Sequence, residues 1–187
     1  MKYLFTALFL ASCQATTPQL DLTYGTRVFD NSQAWEETNT QEMMGFQVNY
    51  AGKSDIGLEI GVNNSEGDTH DRYLNRNVNV ATTTVNELYI GLRKSHTLNN
   101  AFQVFISGGM SGLLIETEVD LAYSGSPKDQ DIGYAPYVGA GVNWFVTDDL
   151  SVGFMYRHHF LNESVDIFAT NPDLDSDAYL MTLGWIF

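Results

Sequence analysis

The chain has 187 residues, a length that predicts a single domain with enough residues for a sizeable core. Hydrophobic residues make up 44% of it but charged residues only 17%, below the ~25% that is usual in globular proteins. A formal net charge of −14 excludes nucleic-acid binding through phosphate neutralisation, and the lack of a long apolar run after the N-terminus excludes a helical membrane span.

The N-terminus is predicted to be an export signal. Lys2 precedes the apolar run Tyr3 to Leu10, which is too short to cross a membrane. Small residues before Thr16 suit a signal peptidase, which would remove residues 1–15 and leave a domain of residues 16–187.

A second cleavage site remains open. The sequence Leu10-Ala11-Ser12-Cys13 resembles a bacterial lipobox, which would remove residues 1–12 and leave Cys13 as an acylated N-terminus. Because Cys13 is the only cysteine, either processing route leaves neither a disulfide nor a free thiol site.

Eight stretches alternate apolar and polar residues with the period of two that is typical of β-strands. They cover, approximately, residues 20–27, 44–50, 55–62, 87–93, 102–110, 137–144, 151–157 and 179–187. We expect Pro136 at the start of the sixth strand or beside a bulge, because proline cannot donate a ladder hydrogen bond.

The connections between these strands alternate in length. Long polar stretches cover residues 29–42, 63–83, 116–131 and 161–177, whereas short ones cover residues 51–54, 94–100 and 146–149. This rhythm predicts an all-β fold, an eight-stranded antiparallel up-and-down transmembrane β-barrel with long loops at one rim and tight turns at the other.

The position of the charges indicates which face of the strands points outward. The few charges on the strands lie opposite the apolar rows, and they are too few to hydrate the outside of a soluble barrel. The apolar face is therefore predicted to meet lipid, and the charges to line the lumen. The lumen residues predicted on this basis are Arg27, Glu59, Glu87, Arg93 and Arg157.

Two interpretations of these lumen charges remain open. They could line a narrow solute pathway, or they could form ion pairs that plug an interior only wide enough for side chains. In the second case we expect Glu59 and Glu87, on neighbouring strands, to share Arg157 or Arg27.

Aromatic residues at the ends of strands predict a membrane girdle at the rim of short turns. These residues are Tyr50, Phe102, Trp144, Trp185 and Phe187. The last strand continues this pattern, with Tyr179, Met181, Leu183, Trp185 and Phe187 on one face.

With these features the chain resembles the small outer-membrane barrels of Gram-negative bacteria, of the OmpA, OmpX and Opa kind. The most specific segments are Pro136 to Trp144 and the aromatic terminus. The resemblance implies export to the outer membrane, contact with its lipid and lipopolysaccharide, and a terminal strand read by the barrel-assembly machinery. It implies no cofactor.

One segment suggests an enzyme. Residues 157–162, Arg-His-His-Phe-Leu-Asn, resemble the His-x-Ser-Asn segment of outer-membrane lipid A deacylases, but Leu161 stands where the nucleophilic serine is needed. Ser164 could serve only if the strand bulged. We therefore expect no catalytic residues, and we expect His158 and His159 to lie at the outer headgroup boundary.

The long loops are strongly acidic, with 17 acidic residues against the three bases Arg72, Arg76 and Lys128. The spacing of Asp173, Asp175 and Asp177 resembles the start of a calcium loop but lacks the later glycine and glutamate, so we expect no metal site. A partner of this rim should be cationic or bridged by divalent ions. Its aromatic contact candidates are Phe29, Trp35, Tyr73, Tyr123 and Phe168.

The sequence thus favours a structural or surface-interaction role through the acidic loops, with an unidentified extracellular partner. A narrow low-conductance channel is the alternative, followed by a lipid A deacylase-like enzyme.

Overall fold

A computed structural model describes residues 18–29, 40–50, 55–70, 80–99, 101–120, 128–160 and 175–187. The predicted signal peptide, including Cys13, lies outside the described residues. No helix among the described residues is long and apolar enough to cross a membrane.

Eight antiparallel strands form one closed barrel in which each strand pairs with its neighbours in sequence and β1 pairs with β8. This confirms the predicted eight-stranded up-and-down barrel. The strands are β1 (Pro18–Phe29), β2 (Thr40–Tyr50), β3 (Ile56–His70), β4 (Val80–Asn99), β5 (Phe102–Asp120), β6 (Lys128–Phe145), β7 (Leu150–His159) and β8 (Ser176–Ile186).

The strands are strongly staggered around the barrel. A path of directly paired residues that leaves β7 at His159 returns ten positions lower, at Asp149, the residue just before β7. The path runs through Tyr137, Gly109, Gly91, Glu59, Asn49, Gln19 and Ile186. This shear implies a tilt of roughly 40° and a narrow interior that side chains can fill.

The strands are longer than the sequence pattern indicates, and this corrects the predicted loops. Strands β3 to β6 extend far into the stretches 63–83 and 116–131, and β4 continues to Asn99 through most of the predicted connection 94–100. Nine of the 17 acidic residues assigned to loops therefore lie on strands. They are Glu42, Glu66, Asp68, Glu116, Glu118, Asp120, Asp129, Asp131 and Asp177.

Pro136 lies inside β6 and not at its start, which corrects the prediction. Its carbonyl accepts a hydrogen bond from the Phe160 amide at 2.9 Å, so its ring nitrogen also faces the β7 side. The pairing between β6 and β7 ends one residue away, at Tyr137 and His159. The missing N–H therefore falls where the ladder stops, and the β5 side of β6 is unaffected.

The two faces of each strand differ in the way that the charge pattern predicts. The apolar rows point outward, and on β8 they include Met181 at 63% exposure and Leu183 at 49%. The alternate residues are buried inside the barrel, among them Arg157 and Glu59. The barrel is thus apolar outside and largely polar inside.

Inward-facing glycines make room for large inward-facing side chains. A Cβ on Gly61 would collide with the ring of Tyr89, a Cβ on Gly91 with the hydroxyl of Tyr137, and one on Gly141 with the ring of Phe105. Because the interior is narrow, the barrel accommodates these rings only where an adjacent or next-but-one strand has no side chain.

We predict that Gly61→Ala destabilises the barrel by about 1–3 kcal/mol, because the added methyl group overpacks the interior against Tyr89. Gly112→Ala is the matched control, since its nearest neighbour, the Tyr134 ring, would be at an ordinary 3.7 Å. Urea unfolding in lipid vesicles measures both variants. Equal stability of the two would contradict the proposed packing.

Candidate functional site in the barrel interior and on its wall

The most densely bonded group inside the barrel is the carboxylate of Glu87, which is buried on β4. It pairs with Arg27 and accepts hydrogen bonds from Asn63 at 3.0 Å and from Ser111 at 2.7 Å. His159 Nε2 lies 2.8 Å from Glu87 Oε1. The stagger of the strands brings these five residues, from β1, β3, β4, β5 and β7, into one layer.

Below this layer, Arg157 lies between the two predicted acidic partners. Its Nη2 is 3.3 Å from Glu59 Oε1, and its Nη1 is 3.7 Å from Glu87 Oε1. Its guanidinium carbon lies 3.8 Å from the centroid of the Tyr89 ring and 4.7 Å from that of Tyr137. Because Arg157 is fully buried, these carboxylates and rings replace the solvation that the cation loses.

Tyrosine hydroxyls extend this network toward the rim of short turns. Tyr137 donates to Glu59 at 3.0 Å, and Tyr89 donates to Gln47 at 2.9 Å. The two rings pack edge to face with their centroids 5.7 Å apart. Together with Arg157 they fill the middle of the barrel.

A second polar cluster, centred on Asp21, lies nearer the rim of short turns. Asp21 accepts hydrogen bonds from Gln19 at 2.6 Å, Gln47 at 2.9 Å and Asn49 at 2.7 Å. Arg93 lies 3.9 Å from it, with its guanidinium carbon 3.4 Å from the centroid of the Phe105 ring. Arg93 thus belongs to this cluster and not to the Glu87 layer.

The fully buried charges of the described residues cancel. The buried acidic residues are Asp21, Glu59 and Glu87, and the buried arginines are Arg27, Arg93 and Arg157. All five predicted lumen residues are buried within the barrel, and Arg157 joins Glu59 to Glu87. The sequence analysis omitted Asp21 from this set although it lies on the same face of β1 as Arg27.

Toward the rim of long loops, an apolar cluster lies among buried polar side chains of the interior. Phe29, Val85, Leu113, Ile115 and Ala135 form a buried cluster there. This corrects the prediction that Phe29 is a contact residue in an exposed loop. The other predicted loop aromatics, Trp35, Tyr73, Tyr123 and Phe168, lie outside the described residues.

The two histidines of β7 point in opposite directions. His159 is fully buried in the Glu87 layer, so the expectation that it lies at the headgroup boundary is wrong. It shares the parity of Arg157 along the strand, a signal that could have placed it in the lumen. His158 is on the outer wall and partly exposed.

A small hydrogen-bonded cluster surrounds His158 on the outer wall. Asp177 Oδ1 accepts a 2.6 Å hydrogen bond from the Tyr156 hydroxyl and lies 2.8 Å from His158 Nδ1. Two further rings pack on this cluster. The centroid of the Phe160 ring is 4.4 Å from that of His158, and the centroid of the Tyr179 ring is 5.4 Å from that of Tyr156. We call these five residues the wall patch.

The wall patch also bears on two sequence motifs. Asp177 of the calcium-like segment is engaged by Tyr156 and His158, Asp173 lies outside the described residues, and no metal-binding group is found among the described residues. In the deacylase-like segment, the outward residue that follows His158 is Phe160, which has no hydroxyl group.

The outer wall changes from apolar to polar at a common level. On β3 and β4 this change is marked by Asn64 and Asn86, whose side chains hydrogen-bond at 3.0 Å. In the next outward row of the register, Glu42 pairs with Glu66, and Thr84 lies between Glu66 and Glu116. We call these three exposed acids the glutamate row.

Beyond the glutamate row, Lys128 provides a local positive charge. Its ammonium donates to Glu118 at 2.7 Å, and this hydrogen bond raises the pKa of Lys128 above its ordinary value. Because Lys128 neutralises only one acid, the described residues at this rim retain an excess of acidic side chains over basic ones.

At the opposite rim, the predicted girdle residues point outward near the short turns. Tyr50 ends β2, Phe102 begins β5, and Trp144 stacks on Phe102 with centroids 6.3 Å apart. Trp185 and Phe187 are 56% and 71% exposed. Tyr179, Met181 and Leu183 continue the same outward row.

A family model described as an outer membrane protein beta-barrel domain matches residues 3–187. Among solved structures, neisserial surface protein A has 12% identity and a TM-score of 0.64, with 92% of this chain and 97% of that chain covered. OprG from Pseudomonas aeruginosa has 13% identity and a TM-score of 0.59, covering 95% and 98%.

The attachment invasion locus protein Ail of Yersinia pestis has 9% identity and a TM-score of 0.59, covering 92% of this chain and 97% of that chain. At such low identities these likenesses show the fold alone. No curated protein matches the sequence.

We predict that Glu87→Gln destabilises the barrel by about 3–5 kcal/mol, because it leaves Arg27 buried without its carboxylate partner. The control is Glu66→Gln, because Glu66 is an exposed acid three residues beyond Asn63 on β3, and we expect little change for it. Urea unfolding in vesicles compares the two. Similar losses for both variants would contradict the role of Glu87 as the centre of the interior network.

Proposed function

The chain belongs to the outer membrane protein beta-barrel family, and from this premise we propose that it is a sealed barrel of the Gram-negative outer membrane. Its role is structural or one of surface interaction, carried out through the acidic rim and loops. Lipopolysaccharide and other outer-membrane lipids surround it, and the barrel-assembly machinery recognises its terminal strand.

The filled interior is the observation that carries this proposal. Three buried carboxylates face three buried arginines, and the rings of Tyr89 and Tyr137 occupy the space between them. Moving an ion through such a layer would require it to separate pairs that lack the solvation of bulk water, which is costly. The apolar cluster around Phe29 and Leu113 adds a second barrier.

The glutamate row supports the surface-interaction part of the proposal. Glu42 and Glu66 lie directly opposite each other on β2 and β3. Like charges at such positions destabilise a sheet, so a nearby cation would relieve the repulsion. A cationic partner, or one bridged by divalent ions, therefore suits this rim.

One observation favours the alternative of a narrow channel. At the rim of short turns an open cleft is lined by Gln19, Asn49, Ser95, Gln103 and Arg93. It gives solvent a route into the barrel as far as the Asp21 cluster. In the sealed barrel it is a vestibule, because the Arg157 layer lies beyond it.

The alternative of a lipid A deacylase-like enzyme has weaker support. His159, the residue that the motif aligns with the catalytic histidine, faces Glu87 inside the barrel and not the membrane lipid. Lipid A mass spectrometry on cells expressing the wild type or His159→Ala distinguishes this alternative from the others.

We predict that the wild-type protein gives no conductance steps in planar bilayers, whereas the double variant Tyr89→Ala and Tyr137→Ala does. Removing both rings opens the space beside Arg157. The control removes two outward rings, Tyr24 and Tyr134. Heat-modifiable gel mobility verifies that each variant is folded.

Conductance steps of the wild type would overturn the sealed barrel and support the channel. A folded interior variant without conductance would show that other groups, such as the Phe29 cluster, close the barrel. It would contradict the assignment of the seal to the Arg157 layer.

We also predict that a fluorescent oligolysine binds to the protein in nanodiscs, which leave both rims accessible. Neutralising the glutamate row with Glu42→Gln, Glu66→Gln and Glu116→Gln should weaken this binding, and added salt should have the same effect through screening. Asp148→Asn with Asp149→Asn, at the rim of short turns, is the control. Equal effects of the two sets would contradict a binding role of the glutamate row.

A further inference from the structure

The apolar outer wall of the barrel carries a single cation near the rim of short turns. Among the described residues, Lys94 is the only lysine or arginine that faces outward between the glutamate row and the short turns. It follows Leu92 in the outward row of β4, and its register neighbours are Ile56 on β3 and Ile106 on β5. All three neighbours are exposed apolar residues, so the ammonium group emerges from a lipid-facing surface.

The protein supplies no counter-ion for this ammonium group. No carboxylate of the described residues lies within 4.0 Å of Lys94. Asp55 is next to it in the register, where its carbonyl accepts a hydrogen bond from the Ser95 amide at 2.9 Å. The Asp55 side chain, however, lines the vestibule together with Arg93. A negative charge that meets Lys94 on the outer wall must therefore come from another molecule.

A second hydrogen-bond donor lies two residues further along β4. His96 is exposed and shares the outward parity of Lys94, and its register neighbour on β5 is the apolar Val104. Alternate residues of a strand lie on one face about 6–7 Å apart, a gap that the flexible lysine stem can close. A neutral imidazole has one N–H donor in either tautomer. The two side chains can thus donate to a single ligand group.

The height of this pair on the wall is that of lipid headgroups. Tyr50 of the girdle pairs with Leu58, which pairs with Leu92. The stagger lowers the wall by slightly more than one position per strand. Tyr50, two strands away from Leu92, and Lys94, two residues below it, therefore lie at about the same height. Aromatic girdles mark the boundary between hydrocarbon and headgroups.

The chemistry of the pair selects an anionic headgroup. Two donors, one of them a cation, match the oxygens of a phosphate. A zwitterionic lipid brings its own ammonium group next to its phosphate, which cancels part of the attraction to Lys94. A lipid whose headgroup carries only the phosphate charge has no such cancellation. In the proposed orientation the leaflet at this rim lies opposite the long loops and consists of phospholipid.

We propose that Lys94 and His96 bind the phosphate of an anionic phospholipid in the leaflet at the rim of short turns. The Lys94 ammonium pairs with the phosphate, and the His96 imidazole donates a hydrogen bond to one of its oxygens. This inference rests on the membrane placement in the proposed function but on neither the seal nor the glutamate row.

The test uses the full barrel in vesicles that contain equal amounts of phosphatidylglycerol, phosphatidylethanolamine and phosphatidylcholine. Native mass spectrometry of the released protein measures which lipid is retained. Lys94→Gln removes the charge, and Lys94→Arg keeps it. Lys128→Gln, at the rim of long loops, makes the same charge change away from the site as a control. Heat-modifiable mobility in the vesicles verifies that each variant is folded and inserted.

We expect the wild type, Lys94→Arg and Lys128→Gln to retain phosphatidylglycerol in preference to the two zwitterionic lipids. In Lys94→Gln the preference should fall about 5-fold, the effect of one basic residue at an anionic surface. His96→Phe keeps an aromatic ring but removes the donor, and it should lower the preference by a smaller factor.

Three results would overturn the site. They are equal retention of the three lipids by the wild type, an undiminished preference in Lys94→Gln, and equal losses in Lys94→Gln and Lys128→Gln, which would indicate a general charge effect. A preference that His96→Phe leaves unchanged would overturn the part of the imidazole. Heat-modifiable mobility reports membrane placement separately, and the assay reads neither conductance nor oligolysine binding. A failure of this site is therefore distinguishable from a failure of the proposed function.

Discussion

The narrow interior of an eight-stranded barrel is the constraint on which the rest of this structure depends. With a shear of ten positions, side chains from opposite walls meet, and there is little room for water to solvate a buried charge. Each fully buried charge therefore has a partner on another strand. Glu87 illustrates this, because its partners come from four other strands.

The same constraint explains why glycine and large aromatic residues occur together in the interior. Tyr89 occupies space that Gly61 leaves empty on β3, and Tyr137 reaches into the space beside Gly91 on β4. The rings in turn cover Arg157, which needs polarizable neighbours as well as carboxylates. Small and large residues on adjacent or next-but-one strands thus form one packed core.

The alternation of side chains made most of the fold and much of the interior predictable. A period of two assigns each residue to a face, so Glu59, Glu87 and Arg157 could be placed inside from sequence alone. The ends of the strands were less predictable, because the outward face becomes polar above the apolar band. In β3 to β6 this change looks like the start of a loop, although the backbone pairing continues.

The interior cluster of Phe29, Val85, Leu113 and Ile115 was unpredictable for a related reason. Apolar residues on the inward face contradict the apolar-out pattern, and they interrupt the alternation that identifies a strand. The geometry of the wall patch could not be predicted either. It depends on the β7–β8 register that brings His158 opposite Asp177.

The distribution of charge separates the structural part of the molecule from the part that can meet other molecules. The fully buried acids and arginines balance, so the centre of the barrel contributes little net field at a distance. On the outer surface the glutamate row is not balanced in this way, and it lies above the edge of the apolar wall. Selective contacts should therefore form at this rim, with cationic groups, while the balanced pairs at the centre maintain the barrel that holds these acids in place.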